Sequence, residues 1–157
     1  MIICCDIDGV LADVRSYAKK YLPPYGKQDW KEYFLHTGEF PAIGENILLV
    51  KALILTHHPV YFVTGRPESN REATEAWLRR YLMTSGKLSN LLKMRQNKDP
   101  RSTSEIKMEY FRKLAPDLLI DDDPEVITLA TELGYHVLQV HGYRWTRKKD
   151  LIPPVSI

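Results

Sequence analysis

The sequence begins with an apolar run, Ile2-Ile3-Cys4-Cys5, that leads directly into Asp6-Ile7-Asp8-Gly9. An unbroken apolar run predicts a strand that is buried on both faces, as in parallel sheets covered by helices. Asp6 and Asp8 then lie at the carboxyl end of this strand, where open α/β sheets bind their ligands. Two carboxylates this close repel each other unless a cation lies between them or one is protonated, and hard oxygen ligands suit magnesium. The alternative is a strand followed by an ordinary Asp-Gly turn.

Strands and helices alternate along the rest of the sequence. Apolar runs predict further strands at 60–63, 89–94, 117–120 and 136–140, and helical spacing predicts helices at 14–22, 30–36, 45–56, 68–83, 105–115 and 125–133. The helix at 45–56 is apolar enough to predict a buried crossover helix. This alternation predicts an α/β fold with a doubly wound, Rossmann-like, parallel five-stranded sheet. At 157 residues, the chain has the size of a single domain.

Residues 14–44, called the insert below, form a small helical cap between the first strand and the crossover helix. The insert is rich in aromatic residues and leaves from the edge of the sheet that carries the aspartates. Its aromatic side chains either stack on a base or pack the insert together, and packing is the favoured interpretation. These side chains are Tyr17, Tyr21, Trp30, Tyr33 and Phe34.

Composition limits the class of protein. Apolar residues make up 44% and charged residues 27% of the chain, and the formal net charge is +2, which fits an anionic substrate without implying a duplex-binding surface. Cys4 and Cys5 point to opposite faces of a strand, which predicts two apolar core residues in a reducing compartment. No signal peptide and no apolar run of about 20 residues is recognisable, so we expect a cytoplasmic protein without membrane contact.

Three predicted strands end in polar residues, and a parallel sheet brings their ends to one edge. Phosphoryl transfer explains the set. Asp6 attacks phosphorus, and Asp8 protonates the leaving oxygen and then activates water. Asp121 completes the carboxylate set for Mg²⁺, and Thr64 offers a hydroxyl to the phosphoryl group. A cation is also expected, with Lys107 preferred and Lys113, near the end of its helix, as the competitor.

These segments resemble the haloacid dehalogenase superfamily of phosphatases with an aspartate nucleophile. The matching signatures are Asp6-Ile7-Asp8-Gly9, Thr64-Gly65-Arg66, Lys107 and Asp121-Asp122, and they extend over residues 1 to about 142. The resemblance implies catalysis by Asp6, Asp8, Thr64 and Lys107. It also implies substrate contacts by Gly65 and Arg66. The implied metal ligands are Asp6, Asp8, Asp121 and Asp122.

A finer resemblance is to the 3′-phosphatase domain of phage polynucleotide kinase. The stretch 95–101, followed by Lys107, matches its Arg-x-x-x-Asp-x-Arg pattern, which implies that Arg95 and Arg101 hold phosphate or nucleotide. The implied reaction is removal of a 3′-phosphate from a polynucleotide end or a nucleotide. No Gly-x-x-x-x-Gly-Lys-Ser/Thr loop of a kinase occurs in the sequence. Asp123 replaces an arginine of the phage enzyme, and we expect it to cap the helix that begins at Pro124.

Three other functions remain open. The opening motif also resembles the 5′(3′)-deoxyribonucleotidases, which act on free mononucleotides. A second alternative is a protein that binds magnesium and phosphate without turnover. A third is a basic nucleic-acid-binding module, in which a run near the end of the chain contacts phosphates (Arg144, Arg147, Lys148 and Lys149).

Overall fold

Five parallel strands form one sheet in the computed structural model, which describes residues 1–82 and 87–140. They span Ile3–Cys5 (β1), Val60–Pro67 (β2), Leu92–Arg95 (β3), Leu118–Asp121 (β4) and Val137–Gln139 (β5), in the order β3-β2-β1-β4-β5. The apolar strand β1 lies at the centre, with Cys5 in register with Phe62 on one side and Ile120 on the other. The predicted α/β fold with a five-stranded parallel sheet is therefore confirmed.

Helices cover both faces of this sheet. The helices are Arg15–Tyr21 (α1), Trp30–Leu35 (α2), Gly44–Leu55 (α3), Arg71–Leu82 (α4), Leu88–Leu91 (α5), Thr103–Leu114 (α6) and Pro124–Glu132 (α7), with short 3₁₀ turns at Thr37–Glu39 and Glu68–Asn70. Helices α6 and α7 pack on the face that contains Cys4, whereas α3, α4 and the insert pack on the face that contains Cys5. Both cysteines are buried free thiols, as the alternation of strand residues predicts.

The apolar helix α3 is present, but the prediction that it is buried is wrong for most of its surface. Ile47 and Val50 face the core, while Leu48, Leu49 and Leu55 are 68%, 41% and 77% exposed. The sheet lies against one side of α3, so apolar residues on its other side remain in solvent. In α4, Thr74, Trp77 and Leu78 are buried on the inner face, whereas Ala73 and Ala76 are exposed.

Capping side chains set several element boundaries. Asp29 and Asp123 cap α2 and α7 by accepting hydrogen bonds from the backbone N–H groups of Glu32 and Glu125. Helix α6 begins earlier than predicted, because Ser102 and Glu105 form a capping box. The predicted strand at 89–94 also begins too early, since Leu88–Leu91 is helical and β3 starts at Leu92.

The insert is fixed to the rest of the structure by hydrogen bonds from α4 and the turn before it. The indole N–H of Trp77 donates to the carbonyl of Phe40 over 2.8 Å, and Asn70 Nδ2 donates to the carbonyl of Phe34 over 2.6 Å. These bonds hold the insert beside the carboxyl ends of the strands. Every helix in the described part of the chain falls short of the length and hydrophobicity that a membrane span requires.

Candidate active site

A pocket of about 320 Å³ lies between the insert and the carboxyl ends of the central strands. The sheet side and the first turns of α6 and α7 contribute Asp6, Asp8, Thr64, Gly65, Arg66, Thr103, Lys107, Asp122 and Asp123, and the insert contributes Gln28, Trp30, Tyr33 and Phe34. The pocket therefore brings together seven of the predicted site residues from distant segments. Asp121 lies beside it, in contact with Lys107.

The turn after β1 places the first aspartates. The backbone N–H groups of Leu11 and Ala12 both donate to the carbonyl of Ile7 over 2.8 Å, which closes the chain into a tight turn. Gly9 has φ +87°, and a Cβ atom at this position would lie 2.2 Å from Asp122 Oδ2. Gly9 is therefore required both for the left-handed backbone and for the close approach of Asp122.

Three buried carboxylates form a cluster that we call the carboxylate cluster, made of Asp6, Asp121 and Asp122. Each offers one oxygen, and these oxygens lie within 4.8 Å of one another. Lys107 Nζ lies 2.9 Å from Asp6 Oδ2 and 2.7 Å from Asp121 Oδ2. If all four groups are ionised, three negative charges and one positive charge leave two negative charges. Oxygen ligands with this residual charge fit a divalent cation such as Mg²⁺.

Burial and mutual charge shift the pKa values of these groups. Burial raises the pKa of Asp6 to about 7; Lys107 opposes the shift, and Asp121 and Asp8 add to it. Burial also raises the pKa of Asp121, again against the effect of Lys107. Burial by itself lowers the pKa of Lys107, but the carboxylates of Asp121 and Asp6 outweigh it and hold this pKa above its ordinary value. Lys107 is therefore an ammonium ion at neutral pH.

Asp8 was predicted as a metal ligand, but its carboxylate is not part of the cluster and pairs with Arg66. Arg66 Nε lies 3.2 Å from both Asp8 carboxylate oxygens, and Arg66 Nη2 lies 2.5 Å from Oδ1. The guanidinium is fully buried and also donates to Thr74 Oγ1 over 3.2 Å. Arg66, predicted to contact substrate, thus lines the pocket while orienting Asp8.

Thr64 and Gly65 form the end of β2 inside the pocket. The buried Thr64 hydroxyl oxygen accepts a hydrogen bond from the backbone N–H of Arg66 over 3.2 Å. A Cβ atom on Gly65 would lie 2.9 Å from Thr103 Cγ2 and Oγ1, so glycine lets the first turn of α6 pack against this strand end. Thr103 was not predicted as a site residue, although the Ser102-x-x-Glu105 capping box marks the start of α6 and would have placed it there.

Arg95 and Arg101 do not line the pocket that contains Asp6. Arg95 donates to the carbonyls of Gly65, Asp99 and Arg101 and to Thr103 Oγ1. Arg101 forms ion pairs with Asp99 and Glu109 at 2.7 and 2.5 Å. These contacts brace the loop between β3 and α6. The phosphate or nucleotide contact of Arg95 and Arg101 that the resemblance implies stays a prediction.

Lys113, the alternative to Lys107 as the active-site cation, lies on the surface. The side chain of Lys113 is 64% exposed and pairs with Glu109. The basic run Arg144 to Lys149 lies outside the described residues.

One protein-family model matches almost the whole length of the chain. The sequence model described as the polynucleotide kinase PNKP phosphatase domain matches residues 1–143. A curated protein of Oceanobacillus iheyensis named "Putative nucleotidase" is 29% identical over 118 residues, which make up 72% of this chain and 57% of the relative.

Solved structures with the same fold include other phosphatases. A chain of the Pnkp1/Rnl/Hen1 RNA repair complex has a TM-score of 0.66 at 23% identity, covering 88% of this chain and 42% of its own length. D,D-heptose 1.7-bisphosphate phosphatase from B. bronchiseptica, complexed with magnesium and phosphate, has a TM-score of 0.60 at 15% identity, covering 90% and 82%.

The chain thus spans about half the length of the nucleotidase relative and of the matched chain in the repair complex. The resemblance stated from the sequence is confirmed by the family match, and the structural likenesses establish the fold. The protein belongs to the polynucleotide kinase phosphatase-domain family, a family of phosphoric monoester hydrolases with the haloacid dehalogenase fold.

Proposed function

We propose that this protein is a magnesium-dependent phosphatase that forms an aspartyl-phosphate on Asp6 and removes 3′-phosphates from polynucleotide ends or nucleotides. The observation that carries the proposal is the position of Lys107, whose ammonium group bridges Asp6 and Asp121 at the inner end of the pocket. This cation lies beside the proposed nucleophile, where the incoming phosphate needs compensation for the carboxylate charges.

The carboxylate cluster fits Mg²⁺ on its own chemistry. Its three members are buried acidic side chains from two separate strand ends, and Gly9 leaves room for one of them to approach. Asp6, Asp121 and Asp122 would hold the ion, which supplies charge neutralisation for the phosphate oxygens when it is bound. The magnesium complex of the heptose bisphosphate phosphatase, which shares the fold, agrees with this assignment.

In the first step, a carboxylate oxygen of Asp6 attacks phosphorus, and the bond between phosphorus and the ester oxygen breaks. Asp8 donates its proton to the departing oxygen, so the product leaves as an alcohol. Lys107 and the Thr64 hydroxyl contact the phosphoryl oxygens. Arg66 holds the carboxyl group of Asp8 towards the pocket and away from the carboxylate cluster.

In the second step, water attacks the same phosphorus atom and the bond to Asp6 breaks, releasing inorganic phosphate. Asp8, now ionised, accepts the proton of this water, which restores both carboxyl groups to their starting states. The same residue thus serves first as an acid and then as a base. The Arg66 guanidinium holds the Asp8 carboxyl group in the same place in both steps.

The proposed substrate class rests on the relatives. The matching family is named for the phosphatase domain of polynucleotide kinase, and the matched chain of the solved complex belongs to an RNA repair assembly. A mononucleotide phosphatase is the second candidate, favoured by the nucleotidase relative. The pocket volume of about 320 Å³ also favours small substrates, because it lies at the lower end of typical ligand pockets, roughly 300–1,000 Å³.

A phosphate-release screen tests the proposal. Purified protein is assayed with a 3′-phosphorylated oligonucleotide, nucleoside 3′- and 5′-monophosphates and sugar phosphates, each with Mg²⁺ and with EDTA. We expect the highest kcat/KM for the oligonucleotide or the 3′-mononucleotide, and no turnover in EDTA until Mg²⁺ is restored. Preference for the 5′-mononucleotide supports the second candidate, and turnover in EDTA contradicts the metal assignment.

A further inference from the structure

The aromatic side chains of the insert divide into two groups. Tyr17 and Tyr21 do not line the pocket; their rings contact His36, and that of Tyr17 also contacts Phe40. Trp30, Tyr33 and Phe34, which we call the aromatic wall, line the pocket. The packing interpretation therefore describes the first group, whereas the second group also faces the space in front of the carboxylate cluster.

The three rings of the aromatic wall support one another. Trp30 lies 5.8 Å from both the Tyr33 ring and the Phe34 ring, edge-on to the first and tilted by 33° from the second. Tyr33 is fully buried, but Trp30 is 42% exposed. Because burying an indole is favourable, a large aromatic residue that stays exposed at a pocket is suited to contact a ligand there.

Hydrogen bonds fix the wall relative to the strand ends. Asn70, just after β2, donates to the Phe34 carbonyl over 2.6 Å and to Thr37 Oγ1 over 3.1 Å. The Trp30 indole N–H donates to Gln28 Oε1 over 3.2 Å. The indole N–H of Trp30 therefore has a partner within the insert, and a wall held in place by Asn70 loses little entropy on binding.

We propose that Trp30 and Phe34 are specificity-determining residues that stack on the nucleobase of the nucleotide whose phosphate reacts at Asp6. This inference rests on the proposed function and narrows it. Asp6 and Asp122 of the carboxylate cluster and the aromatic wall line the same pocket of about 320 Å³. The phosphate and the base of one nucleotide are therefore bound together in this pocket. Stacking on an aromatic ring accepts any base, so the wall selects for a base without selecting its identity.

Base stacking on the aromatic wall discriminates against phosphorylated substrates that lack a nucleobase. A sugar phosphate or an abasic end places its phosphate at Lys107 but leaves the aromatic wall without contact. Stacking is equal in the ground state and the transition state, because the base is remote from the phosphorus atom. The difference between the two substrates is therefore expected in KM, with kcat little changed.

The test compares two oligonucleotides with a 3′-phosphate, one ending in a thymidine and the other in an abasic tetrahydrofuran residue. We expect the protein to favour the thymidine end by about five- to 150-fold in kcat/KM, the range for one base–aromatic stack. In Trp30→Ala, this ratio falls towards one. In Trp30→Phe, which keeps a stacking ring, most of the ratio is retained.

Tyr25→Ala provides the matched control, because Tyr25 is an aromatic residue of the same insert, is 92% exposed and does not line the pocket. This variant should keep the wild-type ratio. Equal kcat/KM of the wild-type protein on both ends overturns the stacking inference while leaving the phosphatase proposal intact. A Trp30→Ala variant that loses activity on both ends equally, with the ratio unchanged, also overturns it. Absence of turnover on both ends overturns the proposed function as well.

Discussion

The two sides of the pocket are built on different principles. On the sheet side, ionisable groups lie deep in the protein, with Lys107, Asp121 and Asp122 each at most 2% exposed. On the insert side, uncharged aromatic rings line the pocket, and Trp30 remains 42% exposed. Buried charges must compensate one another, so a change at one alters the state of the others. We therefore expect large and coupled effects on the sheet side, and smaller effects confined to substrate binding on the insert side.

The largest effect is expected for Asp6→Asn, which removes the proposed nucleophile without changing the size of the side chain. Phosphate release should fall by at least about 10³-fold, because no covalent intermediate forms. Circular dichroism should show an unchanged fold. Asp13→Asn is the control, since Asp13 pairs with Arg15 outside the pocket and should retain activity. Turnover by Asp6→Asn at the wild-type rate excludes the covalent route.

Lys107→Met tests the coupling between charges on the sheet side. Removing the ammonium group leaves Asp6 and Asp121 without their cation, which should cost about 3–5 kcal/mol of unfolding free energy in EDTA at pH 8. We expect kcat to fall by about 10²–10³-fold. Urea unfolding and phosphate release measure the two effects. The surface variant Lys113→Met should change the free energy of unfolding by less than about 0.5 kcal/mol. A larger fall in kcat in this variant than in Lys107→Met would make Lys113 the catalytic lysine.

The pKa of Asp6 gives the metal-free protein a characteristic pH dependence. Its folded-state value of about 7 exceeds the ordinary value of 3.8, so the folded state binds more protons between these pH values than the unfolded state does. The contribution of Asp6 to the free energy of unfolding should therefore fall as the pH rises from about 4 to 7, by an order of a few kcal/mol. In Asp6→Asn, urea unfolding in EDTA should show a smaller fall over this range. Parallel curves for the two proteins contradict this assignment.

Gly9→Ala tests how closely the carboxylate cluster is packed. The new methyl group would displace Asp122, and the residue would keep a left-handed φ of +87°, so we expect a loss of about 1–3 kcal/mol in stability. Magnesium affinity, followed by the metal-induced shift in Tm, should fall as well. Gly38→Ala is the control, because a Cβ atom there meets nothing within 4 Å. Equal magnesium-induced shifts in wild type and Gly9→Ala contradict a role of Asp122 in binding the ion.

The same contrast explains how far the sequence predicts the structure. The central strand, the positions of Asp6 and Lys107 and the Asp123 cap were predicted, because apolar runs and capping residues are local signals. The pairing of Asp8 with Arg66 was not, because it joins residues 58 positions apart and depends on where side chains turn within the pocket. The exposed face of α3 was missed for a similar reason, since its sequence is apolar on every side.

The division of the insert aromatics also could not be read from the sequence. Tyr33 and Trp30 lie three residues apart on one short helix, yet the first is buried and the second is exposed. Spacing along the helix predicts a shared face, but the surrounding turns determine which ring meets the pocket. The contacts of Arg95 and Arg101 with their own loop show the same limit, because the sequence pattern around them does not predict which carbonyls and carboxylates they meet.

Asn70→Ala, on the insert side of the pocket, should have the smallest effect. The variant loses two hydrogen bonds to the insert, at Phe34 and Thr37, so unfolding free energy should fall by about 0.5–1.5 kcal/mol. Asn70 does not line the pocket, so kcat should stay near wild type while KM for a 3′-phosphorylated oligonucleotide rises a few-fold. The exposed Asn90 provides a matched Asn90→Ala control, which should change neither value. A fall in kcat with unchanged KM would instead mean that the bond from Asn70 supports the catalytic edge, and the two sides of the pocket would not be separable.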